Sequence, residues 1–155
     1  MAQFKFRLDS LIRLRHRERD AAAQAYQQAG AAIEQLQRQA DELAQHQSAQ
    51  YAIHAKSSLG IVDTQKLTEV QRYQAHLRQQ IETIHSNMEL IEVEREKRRQ
   101  ALVLKEQAVE SIENLRAKQL AQWNANLATR EQIALDEWAG TQFWAKQTPE
   151  QFPNG

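Results

Sequence analysis

The sequence predicts an all-α protein: a long antiparallel two-helix coiled-coil hairpin whose C-terminal helix overhangs its partner. Apolar residues recur at alternating steps of four and three along two long stretches, the spacing of a heptad seam. A single short break, Lys56 to Thr64, separates the stretches. No proline occurs before Pro149, so up to that point no residue lacks the backbone donor of a helix or clashes with the preceding turn.

Composition supports an elongated, ordered chain. Only 6% of the 155 residues are aromatic, which is poor material for a compact globule. Abundant Ala, Glu, Gln, Leu and Arg with apolar periodicity mark long helices, whereas a disordered chain would lack the periodicity. The 20 Lys and Arg balance the 20 Asp and Glu, which argues against nucleic-acid binding, because a neutral chain releases few counterions. Absence of cysteine excludes a disulfide framework and thiol chemistry and is compatible with a reducing cytosol. Arg13, Arg15, Arg17 and Arg19 interrupt any signal-like core, and no segment approaches the roughly 20 apolar residues that span a bilayer. A soluble protein without direct membrane insertion is expected, any membrane association being peripheral.

The first helix is expected over about residues 8–55. Its seam runs through Ala22, Tyr26, Ala29, Ile33, Leu36, Ala40 and Leu43; counted backwards it passes Arg19, Arg15, Ile12 and Leu8, turning partly basic before the cluster Phe4, Phe6, Leu8, Leu11 and Ile12. The turn, about 56–63, holds Gly60, the one glycine among turn-like residues, which can take the backbone angle that ends a helix. Asp63 is placed to cap the second helix, with Val62 and Leu67 as a hydrophobic staple. That helix is expected over about 64–146. Its seam passes Leu67, Val70, Gln74, Leu77, Ile81, Ile84, Met88 and Ile91, and then a charge-diluted part: Arg95, Arg98, Leu102, Lys105, Val109 and Ile112. Residues 1–147 read as one hairpin and 148–155 as a flexible tail.

The arms differ in length, roughly 70 Å against roughly 125 Å at the helical rise. With closure at Gly60, residues whose numbers add to about 120 face each other. The run Arg13 to Arg19 then lies beside Leu102 to Lys105 and close to Arg95 to Arg99. Beyond about Leu120 the second helix has no partner in the chain, although its tail carries Leu120, Trp123, Leu127, Ile133, Ala134, Leu135, Trp138, Phe143 and Trp144. An unpaired helix holding all three tryptophans reads as a docking surface for another protein. Self-association, or a bend that folds the tail back, would cover the same face.

Catalytic and metal chemistry find little support. Glu82 and His85 match an E-x-x-H spacing, but a di-metal bundle needs a second copy of the motif and further carboxylates, and Ile81 with Ile84 turns His85 out of the seam. There is no H-E-x-x-H, phosphate-binding glycine loop or nucleophile elbow. A two-helix coil also lacks a water-excluding pocket. A non-enzyme without cofactor or metal is expected. The basic cluster Arg13, Arg15, Arg17, Arg19, Arg95, Lys97, Arg98 and Arg99 reads either as a solvated face of paired charges or as a positive collar for an acidic partner. Tyr51 and Tyr73 flank the turn, either exposed at the tip or lying over the seam.

The opening Phe4-Lys5-Phe6-Arg7-Leu8-Asp9-Ser10-Leu11-Ile12-Arg13-Leu14-Arg15 resembles the F-x-F-x-L-x-x-L-L-x-x-R start of the FliJ family, coiled-coil components of the bacterial flagellar type III export apparatus. Tyr51, Leu59-Gly60-Ile61, Leu67 to Tyr73, Leu77 to Ile81 and the closing Leu135-Asp136-Glu137-Trp138-Ala139 extend the resemblance over nearly the whole chain. Phe143-Trp144 and residues 148–153 depart from the family's pattern. The resemblance implies a stalk similar to the central stalk of rotary ATPases. Its paired terminal ends would face a hexameric export ATPase, with further contacts to the export gate membrane protein and to export chaperones. It would be cytoplasmic, peripherally associated with the inner membrane at the flagellar base.

Carried over by position, Phe4, Phe6, Leu8, Leu11 and Ile12 with Leu135, Glu137 and Trp138 belong to the ATPase-facing end, where Arg13, Arg15 and Arg19 would assist. Tyr51, Tyr73 and Leu77 belong to the gate-facing tip. The expected function is a non-enzymatic stalk and adaptor that binds the ATPase ring and promotes its assembly or activity. The equivalent stalk of a virulence injectisome, a generic coiled-coil scaffold or holdase chaperone and, more remotely, a nucleic-acid binder stand as alternatives.

Overall fold

The computed structural model describes residues 3–57, 60, 61 and 63–147. Among them the regular elements are two helices, α1 over Asp9–Ser57 (49 residues) and α2 over Thr64–Gln147 (84 residues). They pack against each other as a hairpin, with α2 the longer. The expected helix boundaries differ by one or two residues at three ends, within the fraying of any helix terminus. Residues 148–155, read as a flexible tail, lie outside the described residues. The chain divides into two compact units, one formed by Arg15–Gln107 and one by the residues on either side of it.

In the Arg15–Gln107 unit the four-and-three spacing is the packing pattern. On α1, Arg15, Arg19, Ala22, Tyr26, Ala29, Ile33, Leu36, Ala40 and Leu43 are all buried or half-buried, and the row continues through Gln47, Gln50 and His54. On α2, Val70 through Lys105 behave likewise at every seam position, whereas Leu67 is exposed. Cross-helix contacts fix the antiparallel register. Tyr73 lies on His46, Gln74 on Gln47, Arg95 on Tyr26 and Lys105 on Glu18, pairs whose numbers add to between 119 and 123.

Few seam residues are deeply buried, because a two-helix coil leaves one flank of each side chain open. Leu77, Ala29 and Ala40 are among the most enclosed. The seam also admits long charged side chains whose stems pack while their heads reach outward. The Arg95 guanidinium lies 5.2 Å from the centre of the Tyr26 ring, in cation–π geometry, and its Nη2 donates to the Tyr26 hydroxyl at 3.4 Å. Arg98 Nη1 donates to the Ala25 carbonyl across the seam at 2.8 Å. Gln74 is buried, with Nε2 3.5 Å from the Gln47 carbonyl and Oε1 without a hydrogen-bond partner. Such polar seam positions cost stability and penalise slipped registers.

Glu18 links the helices inside this unit. Its Oε2 accepts from Arg15 Nη1 at 2.9 Å and lies 3.4 Å from Lys105 Nζ. The hydrogen bond from Arg15 is the main reason its carboxyl is held below the ordinary carboxylate range, with Lys105 adding to it against partial desolvation.

At the start of α2, Asp63 is the cap that its position predicts: Oδ1 accepts from the Gln65 amide at 3.0 Å, and its carbonyl accepts from Leu67 at 3.1 Å. The staple expectation includes Val62, which lies outside the described residues. The expectation for Gly60 is corrected, since no described glycine has a positive φ. Helix α1 ends at Ser57, three residues earlier, so Gly60 is too far along to be its terminating residue.

The other unit has its own small core. Residues 3–6 are irregular and lead through a turn at 7–8 into α1. The Asp9 amide donates to the Phe6 carbonyl at 3.3 Å and the Ile12 amide to the Leu8 carbonyl at 3.0 Å. Phe6, Ile12 and Ile112 form the buried cluster, with Phe4 and Leu11 packed against it.

Three outcomes follow from this packing. Leu77, 3% exposed, should lose about 2–4 kcal/mol of urea-measured stability as Leu77→Ala; Leu90, off the seam and 71% exposed, should lose less than about 0.5 kcal/mol as Leu90→Ala. Asp63→Ala should cost about 1 kcal/mol, with the loss recovered by Asp63→Asn. Because the native Glu18 pKa lies below its unfolded value, its stabilisation is present above the ordinary carboxylate range and disappears as the pH falls through the native value. Glu18→Gln should therefore lower stability near neutrality and flatten the acid limb of a stability–pH profile.

Candidate functional site

Open surface grooves run along the coil among the described residues. The depressions along the coil are open grooves, one lined by Leu43, His76, Gln79, Gln80, Thr83 and Ile84 and another by Glu89, Glu92, Val93, Glu96 and Lys97. No three metal-ligating side chains converge among the described residues, and no described helix is long and apolar enough to cross a membrane. What the fold can do chemically is present side chains to another macromolecule.

The most apolar of these surfaces lies in the unit that holds the N-terminal residues. Phe4 packs on Trp123 with ring centroids 6.2 Å apart and planes tilted by 55°. This corrects the expectation that α2 loses its partner at about Leu120. Phe4 belongs to the irregular residues 3–6, which a turn at 7–8 joins to α1, so its position does not follow the helical register. Trp123 is half-buried in consequence, while Leu127, Ile133, Leu135, Glu137, Trp138, Phe143 and Trp144 are exposed, Trp138 at 64%. Of the residues assigned to this end, Phe6 and Ile12 are core, Phe4 and Leu11 half-buried, and Leu8 and Arg13 exposed. The assigned set thus divides into residues that shape the end and residues that face outward.

The basic residues are locally compensated. Arg15 pairs with Glu18 at 2.9 Å and Arg19 with Asp20 at 2.8 Å. On α2, Arg95 lies 3.5 Å from Glu92, Arg98 3.2 Å from Glu94 and Arg99 2.8 Å from Glu96. Arg99 hydrogen-bonds Glu96 through both Nε and Nη2, which holds the Glu96 carboxyl below its ordinary range. These five arginines therefore sit on a face of mixed sign.

Near the turn, Tyr51 and Tyr73 are both exposed, and Tyr73 stands edge-on to His46 with its hydroxyl 3.3 Å from Nδ1. Leu77, assigned to the same tip, is buried at the seam position it was expected to hold. Exposed Leu90, Val93 and Leu104 on α2 escaped the sequence reading. The available signal was their position off the four-and-three row, where a large apolar side chain has no packing role.

Residues 4–148 match the family model described as Flagellar FliJ protein. No curated protein and no solved structure gives a significant match. The family match spans the N-terminal cluster, both helices and the exposed tryptophan-bearing part of α2. The chain therefore belongs to the FliJ family and is a non-enzymatic, coiled-coil component of the flagellar export apparatus.

Proposed function

We propose that this protein is the stalk and adaptor of flagellar protein export: it binds the ring of the hexameric export ATPase, promotes ring assembly or turnover, and links the ring to the export gate membrane protein and the export chaperones. The observation that carries this reading is the exposed apolar part of α2 beside the Phe4–Trp123 contact, in a chain of this family. Large exposed aromatic residues on one helix are the usual anchors of a protein interface. Leu8, Leu135, Glu137 and Trp138 would touch the ATPase. Phe4, Phe6, Leu11 and Ile12 would hold that end in shape, and Arg13, Arg15 and Arg19 would supply its charged rim. At the other end Tyr51 and Tyr73 would meet the gate, with Leu77 keeping α2 seated beneath them. The protein would work on the cytoplasmic side of the inner membrane at the flagellar base.

Mixing the purified protein with the export ATPase should yield a co-sedimenting complex and faster ATP hydrolysis. Leu135→Asp combined with Trp138→Ala should weaken that complex by at least about tenfold, the loss of one interface anchor. Tyr51→Ala with Tyr73→Ala should leave it intact. Absence of both complex and rate change with the unaltered protein would overturn the reading.

A further inference from the structure

The seam of the Arg15–Gln107 unit changes character at one layer. The antiparallel register sets Ala29 opposite Ile91, Ile33 opposite Met88, Leu36 opposite Ile84, Ala40 opposite Ile81 and Leu43 opposite Leu77, so both members of every pair in this run are apolar. All of them are buried or half-buried. Nearer the turn the pairs become Gln47 with Gln74, Gln50 with Val70 and His54 with Leu67, and each has a polar member. Leu77, at the last apolar layer, is 3% exposed, whereas Leu67 is 48% exposed at its own seam position.

The contacts that cross the seam beyond that layer are weak ones. Gln74 is buried, yet its Nε2 reaches the Gln47 carbonyl only at 3.5 Å and its Oε1 has no hydrogen-bond partner. An amide buried in this way gives up its hydration for little return. The Tyr73 hydroxyl meets His46 Nδ1 at 3.3 Å between exposed side chains, where water can replace either group. Separating the helices here rehydrates Gln47, Gln50 and Gln74 and newly uncovers one large aliphatic seam residue, Val70, since Leu67 is exposed already. Separation one layer further uncovers Leu43 and Leu77 together, which costs far more. We propose that the tip of the hairpin, residues 44–57 with 64–76, opens as one cooperative unit while the apolar layers that begin at Leu43 and Leu77 stay closed. Gln74 sets how readily it opens. The device stands on the seam alone, whatever the tip meets, and it lets the end bearing Tyr51 and Tyr73 change shape without loss of the rest of the coil.

Native-state hydrogen exchange of the full chain, followed residue by residue, tests this. Once apart, the two arms of the tip lose the packing that holds most helices in water, so their amides become open to exchange. Amides of 46–55 and 66–75 should share one opening equilibrium and exchange at least about a hundredfold faster than those of 33–43 and 77–88. Gln74→Leu removes the unpartnered oxygen and should slow exchange in both arms by about tenfold, including the α1 arm that it does not alter. Gln71→Leu, the same replacement at an exposed position of the same arm, should leave the α1 arm unchanged. Protection that rises smoothly from the turn toward Leu43 and Leu77 would mean simple fraying of the ends and would overturn the proposal. Tip amides that exchange no faster than those of the apolar layers would overturn it too, as would a Gln74→Leu effect confined to α2.

Discussion

A two-helix coil has only one seam, and that geometric limit governs the rest of the molecule. Each seam side chain meets the facing row on one side and stays near water on its flanks, so the protein has a packing line rather than an enclosed interior. Stability is then spread over many partly buried contacts, and no single cluster dominates. The same openness explains how arginines occupy seam positions. Arg95 lays its guanidinium against Tyr26 and Arg98 reaches the Ala25 carbonyl, each keeping part of its head at the surface. In a thicker bundle the desolvation of such groups would exceed what one hydrogen bond returns. Here it contributes register specificity at modest cost.

The seam was legible in the sequence because its period is a local property of a helix. Once the four-and-three rows are written down, both the facing pairs and the polar seam positions follow, including buried Gln74 and half-buried Lys105. Features that depend on departing from the helix were not legible. Phe4 reaches Trp123 from the irregular residues before α1, and a count made at helical rise cannot contain their path. Gly60 lies in the break as its neighbours suggest, yet α1 ends at Ser57 and Gly60 does not have a positive φ. The pairing of the basic residues is a related case. Along the sequence the basic residues stand out as a cluster, while their acidic partners lie one, three or four positions away or on the facing helix, as Glu18 does between Arg15 and Lys105.

The site residues separate along the same line. A family motif marks positions by their spacing and does not distinguish a side chain that meets a partner from one that shapes the surface presented to it. Phe6, Ile12 and Leu77 are buried in the hairpin itself, while Leu135, Trp138, Tyr51 and Tyr73 face outward. Substitutions in the first group alter the shape of an end, and their effects on binding carry a stability component. Substitutions in the second group act on contact directly. Buried area, read residue by residue, is what separates the two.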